Sequence, residues 1–180
     1  IDFKKIIPGI DIRLPATAVI GALEFDAFIE NNDLYNKVIL QRNFENLKDL
    51  FLNAKISEQL YERLFQYLVS MKKPLAVRSS GLFEDSLIQP FAGVYDTYIL
   101  PNNHPQIMVR LEQLIQAIKL VYASTFARTA RSYFQAVNYK IEEEKMAVII
   151  QEAVGNEMAG FFYPTLAVLH NRLTTTRFRT

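Results

Sequence analysis

The stretch PLAVRSSGLFEDSLIQPFAGVYDTYIL, residues 74–100, decides how this chain is read. It starts as an apolar strand that ends on Arg78, opens into a polar loop, and returns through Gly93 to a second strand, VYDTYIL. Gly81 and Gly93, two of the chain's six glycines, fall here. Glycine lets a backbone turn sharply or approach a ligand with no side chain in the way. The Arg78 guanidinium stays charged at any relevant pH and presents a planar fork of donors that matches phosphate oxygens. Ser79, Ser80 and Thr97 can add neutral donors, and loop amides can complete a cradle. Two readings of these residues stand side by side: a clamp over an anion, or a hairpin in which Arg78 pairs with Glu84 or Asp85 to pin a surface loop. Neither G-x-x-x-x-G-K-[ST] nor G-x-G-x-x-G occurs in the chain, so the familiar phosphate-loop fingerprints do not apply.

Working outward, the flanking segments alternate between strand and helix patterns. Toward the N-terminus, IRLPATAVIGALEFDAFIEN reads as a strand over Ala16 to Ile20, a turn at Gly21, and a helix near Glu24 to Glu30 with Phe25, Phe28 and Ile29 on one face. Two helices follow, NFENLKDLFLNA and SEQLYERLFQYLVSM. The second has Ser57 as N-cap and Leu60, Tyr61, Leu64, Phe65 and Leu68 at spacings of three and four. After residue 100, Pro105 suits the first turn of a helix whose stripe is Ile107, Leu111, Leu114, Ile118 and Val121. A further helix covers Phe126 to Val137. KMAVIIQEAV has the continuous apolar character of a central strand, and MAGFFYPTL supplies one more after a bend at Gly155. Strands separated by helices predict an α+β or mixed α/β fold.

Composition excludes several classes of function. The 180 residues, half of them hydrophobic, suffice for a domain with a real core. Twenty Lys and Arg against nineteen Asp and Glu leave a formal charge of +1, too little for a broad nucleic-acid face. Cysteine is absent, which removes disulfides and thiolate metal sites and fits a reducing cytoplasm. No apolar run reaches the length of a membrane span. His104 reads as a neighbour of a helix start, and His170 lies in an unusual tail. Glu142, Glu143 and Glu144, between Lys140 and Lys145, read as a solvated turn or helix face.

The run AVRSSGLFEDS to FAGVYDT resembles the ATP-binding domain of the phosphoenolpyruvate synthase and pyruvate phosphate dikinase family. That family carries a V-R-S-[SG]-A-x-x-E-D-x-x-x-x-x-F-A-G-x-x-x-T pattern. The chain departs at Gly81, where alanine is usual, a change expected to preserve the loop. Similarity extends through LPATAVIGALEFDAFIENNDLY, ASTFARTARSYFQAVNY and MAVIIQEAVG, and covers about residues 8–164.

This resemblance implies an ATP-grasp-like nucleotide-binding domain over residues 1–166, incomplete in this chain. It implies that Arg78 contacts nucleotide phosphates, that Gly93 and Thr97 lie over them with Tyr98 nearby, and that Gln151 lies at the adenine side. Ala153 stands where methionine is usual, which alters packing beside the base. ATP and Mg²⁺ are the implied cofactors. Pyruvate and a phosphohistidine domain are the implied partners of the whole protein, and members with a rifampin or glucan acceptor form an alternative. The family's phosphate-binding lysine, in a G-G-K segment, is expected before Ile1, and its Mg²⁺-holding residues after the part matching residue 164. No catalytic residue and no metal ligand is therefore assigned within the chain. It is expected to turn over nothing alone and to bind ATP weakly or not at all. A rival expectation is a non-catalytic remnant or interaction module that self-associates through exposed apolar surface.

Residues 167–180, AVLHNRLTTTRFRT, break the preceding periodicity with four threonines and three arginines. Family members commonly continue with a sequence like S-G-V-A-Q-S-[FY]-N-Y-Y-P-F. Codons for that continuation read one base out of phase give a closely similar string, since AAC TAC TAC CCG contains ACT ACT ACC. The tail is thus expected to be an out-of-frame ending; a genuine divergent basic tail is the alternative.

Overall fold

The structure is a computed structural model that describes residues 14–40, 44–81, 93–136, 140, 144–158, 161–163, 168–169, 172–173 and 178–179. A four-stranded antiparallel sheet forms its centre, built from β1 (Thr17–Ile20), β2 (Leu75–Gly81), β3 (Thr97–Leu100) and β4 (Met146–Glu152) in the order β1-β4-β2-β3. Side-chain alternation explains its two faces. Leu75, Val77 and Ser79 of β2 and Met146, Val148 and Ile150 of β4 are buried. Ala76, Arg78, Ala147, Ile149 and Gln151 point the other way. β4 is interior, as its apolar run predicts, but among the described residues the helices cover one of its faces only.

Among the described residues six helices pack on the buried face or on one another: α1 (Ala22–Asn31), α2 (Leu34–Leu40), α3 (Phe44–Asn53), α4 (Glu58–Ser70), α5 (Ile107–Ser124) and α6 (Arg128–Ala136). The long α5 lies against β2, β3, α3 and α4, burying Leu111, Leu114, Ala117, Ile118, Val121 and Tyr122 at helical spacing. Each large side chain so buried stabilises the fold by about 1.5–3 kcal/mol before entropy is counted. An aromatic cluster joins three helices: the ring centroids of Phe25 and Tyr122 are 5.1 Å apart edge-on, Phe28 and Tyr122 5.4 Å, and Phe28 and Phe51 5.9 Å. Burial pushes the Tyr122 phenol pKa well up, with the charge of Glu24 adding to it.

Local signals account for the helix ends. Ser57 Oγ accepts from the Leu60 amide at 3.1 Å, the expected N-cap. Asn32 Nδ2 donates to the carbonyls of Phe28 and Lys55 at 2.9 and 2.8 Å, and its Oδ1 accepts from the Lys55 amide at 2.8 Å, so α1 is tied to the α3–α4 connection. Asn102, with φ of 54°, donates to the carbonyls of Met71 and Lys73, and Arg110 from α5 donates to Met71 and to Asn102 Oδ1.

Four expectations need correction. The short α2 was not foreseen, because its buried pair Leu34 and Val38 shows a single i,i+4 repeat. Pro105 lies ahead of its helix, since His104 Nδ1 accepts from the Gln106 amide at 3.2 Å and holds residues 104–106 in a turn, with Gln106 as N-cap. The strand in VYDTYIL begins only at Thr97. Glu144, read as solvated, is 2% exposed; Glu142 and Glu143 lie outside the described residues.

After Gly155 the chain forms β5 (Asn156–Met158) and β6 (Phe161–Tyr163), antiparallel. A Cβ on Gly155 would stand 2.3 Å from the Tyr163 carbonyl oxygen, so the bend requires glycine. The tail contributes β7 (Val168–Leu169), β8 (Arg172–Leu173) and β9 (Phe178–Arg179); β7 pairs with β8, and β9 with β6. Among the described residues no helix is long and apolar enough to cross a membrane.

Candidate functional site

Strand register brings three of the five residues singled out in the sequence onto one surface. Arg78 is paired across β2 and β3 with Thr97, and across β2 and β4 with Ile149. Direct partners have Cβ atoms about 4.5–5.5 Å apart and share a face. Gln151, two residues beyond Ile149, shares that face and is paired with Thr17 of β1. The face therefore runs from Thr97 through Arg78 and Ile149 to Gln151 and Thr17, with Ala76, Ala147, Val19 and Ile99 as its small or aliphatic floor.

Its chemistry is sparse and directional. Gln151 Nε2 donates to Thr17 Oγ1 at 3.1 Å, and Thr17 Oγ1 donates to the Pro15 carbonyl at 3.0 Å, which fixes the amide at the β1 side. Arg78 and Thr97 are exposed. Among the described residues no carboxylate pairs with the Arg78 guanidinium, and the four strands place no acid on this face. The proposed pairing with Glu84 or Asp85 falls on residues outside those described. The described residues thus form an aliphatic patch bordered by a guanidinium, hydroxyls and an amide.

Gly93 and Tyr98 are placed differently. Gly93 has φ of 81°, a left-handed conformation that favours glycine, and nothing lies within 4 Å of where its Cβ would be. It serves the turn into β3. Tyr98 alternates to the buried face, packs against the core, and donates from its hydroxyl to Asp96 Oδ2 at 3.0 Å.

At the sheet's end Glu152 stitches neighbours together. It pairs with Lys73, its Oε2 accepts from the Ala16 amide at 3.5 Å, and its own amide donates to the Ala16 carbonyl at 2.8 Å. The Lys73 hydrogen bond holds the Glu152 carboxyl below the usual carboxylate range, aided by the Ala16 amide and opposed by burial.

A cavity of 440 Å³ lies elsewhere, between α1 and residues 144–145, lined in part by Asp26, Glu30, Asp33 and Glu144. Lys145 also lines it and pairs with Asp26 at 2.7 Å, but the four carboxylates outnumber that one lysine and would repel a polyphosphate, and among the described residues the lining includes none of Arg78, Thr97 and Gln151. Sequence reasoning missed Thr17, whose role depends on register, and also Glu144 and Tyr95. A Cβ on Gly81 would stand 2.6 Å from Glu144 Oε1 and 2.8 Å from Tyr95 Cε2. The absent methyl at position 81 is thus space that two other side chains use.

Comparisons with known proteins agree on one family. Residues 2–166 match the family described as pyruvate phosphate dikinase, AMP/ATP-binding domain. An uncharacterized phosphotransferase of Bacillus subtilis, YvkC, is 29% identical over 163 residues, covering 89% of this chain and 18% of that protein. A probable phosphoenolpyruvate synthase of Methanothermobacter thermautotrophicus is 26% identical over 172 residues, covering 84% of this chain and 24% of its own length. A rifampicin phosphotransferase of Bacillus cereus is 26% identical over 146 residues, covering 80% and 15%. The chain spans less than a quarter of the length of each of these relatives. With a match over nearly its whole length, the chain belongs to the pyruvate phosphate dikinase AMP/ATP-binding domain family.

Proposed function

We propose that the open face of the β1-β4-β2-β3 sheet is the nucleotide face of an ATP-dependent phosphotransferase. The Arg78 guanidinium engages the phosphates, the Thr97 hydroxyl adds a neutral donor beside it, and Gln151, oriented by Thr17, meets the edge of the adenine. The aliphatic floor of Ile149, Val19 and Ala147 takes the base. The one observation that carries this proposal is the register that sets Arg78, Thr97 and Gln151 on a single acid-free face.

Arg78 would offset charge that develops on the phosphates during transfer. For the whole protein the proposed acceptor is pyruvate, reached through a phosphohistidine on another domain. That one similar protein is named for rifampicin supports placing acceptor choice outside this face. An ATP-dependent step of this kind fits a cytoplasmic setting. Among the described residues no three His, Asp or Glu side chains gather to hold a metal.

Titration of ATP, with Mg²⁺ in the buffer, into the 180-residue chain and its Arg78→Ala and Gln151→Ala variants tests this. Affinity near the millimolar range is expected, about 4 kcal/mol of binding free energy. Loss of a charge-assisted hydrogen bond at Arg78 should weaken it roughly tenfold or more. Equal affinity of wild type and Arg78→Ala would refute the proposal.

A further inference from the structure

Glu144 stands just before β4 and is 2% exposed, although it sits in an acidic run next to two lysines. Opposite it, the β2–β3 ladder runs from Leu75–Leu100 to Arg78–Thr97, whereas β2 continues along β4 as far as Gly81–Met146. Beyond Arg78–Thr97, the returning chain meets β2 through Tyr95, itself 7% exposed, whose ring lies against Gly81 on the buried side of the sheet. The Glu144 carboxylate fills the same space: Oε1 and the Tyr95 ring edge are 2.6 and 2.8 Å from where a Cβ on Gly81 would be. Glu144 and Tyr95, the latter on the segment arriving at Thr97, thus close on the same point of the segment leaving Arg78.

We infer that Glu144 is a positioning residue for the Arg78–Thr97 pair: seated against Gly81 and the Tyr95 ring, its carboxylate sets how the returning strand stands on β2, and so where the Thr97 hydroxyl lies relative to the guanidinium. The inference rests on the open face being the nucleotide face. Glu144 itself is on the opposite side and touches no ligand. Glycine at 81 and glutamate at 144 form a matched pair, because a methyl at 81 can enter only if the carboxylate withdraws and the Tyr95 ring edge shifts with it. Interiors pack closely enough for one such group to shift its neighbours.

A double-mutant cycle on the full 180-residue chain provides the test, with two readouts. The first, without ligand, is amide hydrogen exchange over residues 97–100 relative to α5. Glu144→Ala and Gly81→Ala should each speed it about tenfold, a coupling of the size seen between touching residues. Glu144→Gln, which keeps the shape, should stay within about twofold. Combining Gly81→Ala with Glu144→Ala should return exchange to within about threefold of wild type, because the new methyl refills the space the carboxylate leaves and the Tyr95 ring edge can move into the remainder. If Glu144→Ala does not fold, Glu144→Asp carries the same cycle, since its shorter side chain withdraws from the methyl. The second readout is ATP affinity, which should follow the same order.

Additive losses in the double variant, or exchange that rises equally throughout α5, would overturn the inference. So would recovered exchange without recovered ATP affinity. Absence of ATP binding by the wild type would instead sink the nucleotide face itself, with the Gly81–Glu144 coupling still readable in the exchange data.

Discussion

Along β2, Leu75, Val77 and Ser79 meet the helices, while Ala76, Arg78 and Ser80 meet the open side of the sheet, and the two sets answer to different constraints. The inward set is specified by volume, since Leu75 and Val77 have no exposed surface. The outward set is specified by chemistry, with a guanidinium and hydroxyls over an aliphatic floor. Stability and binding should therefore separate cleanly by residue parity along a single strand.

The sharpest way to break that contrast is Leu75→Ala, which should cost roughly 2–5 kcal/mol in denaturant unfolding, as a large-to-small change at a sealed site does. Arg78→Ala, three residues on and facing outward, should change unfolding by no more than about 0.5 kcal/mol while weakening ATP binding about tenfold. A large stability loss at Arg78 would mean that the guanidinium serves the fold, and the parity argument would fail.

A smaller effect is expected at the sheet's end. The Glu152 carboxyl is held below its ordinary value of 4.5 chiefly by Lys73. A depressed carboxyl contributes stability that is fully present above its unfolded pKa and is lost as pH falls through the folded value. The contribution should therefore persist at neutral pH and fade below about pH 4.5. Lys73→Ala should flatten that acid limb, with an effect of about 1 kcal/mol at most because the lysine is exposed. Thr17→Ala should be smallest, within about 0.5 kcal/mol of stability. Its signature is a changed Gln151 side-chain amide resonance, and an unaltered resonance would remove Thr17 from the site.

Much of the buried side was legible in the sequence because periodicity records it. The stripe of α5 and the Ser57 cap follow directly from spacing and side-chain chemistry, and Val77 inward with Arg78 outward follows from strand alternation. Other features depend on which strands become neighbours. That Thr97 and Gln151 flank Arg78 comes from pairing with β3 across 19 residues and with β4 across more than 70, and Tyr98 falls on the far face by the same parity. Glu144 was misread because a run of acids beside lysines resembles a solvated surface. Nothing local reveals that a glycine at position 81 leaves room for its carboxylate. α2 is too short for its stripe to repeat.

The central claim is that nucleotide lies on the open face, and residue-resolved NMR of the chain titrated with ATP tests it most directly. Perturbations should concentrate at Arg78, Thr97, Ile149 and Gln151 and spare Leu75, Val77 and the α5 stripe. Shifts gathered instead around the acidic cavity beside α1, or none on the open face at saturating nucleotide, would contradict the account.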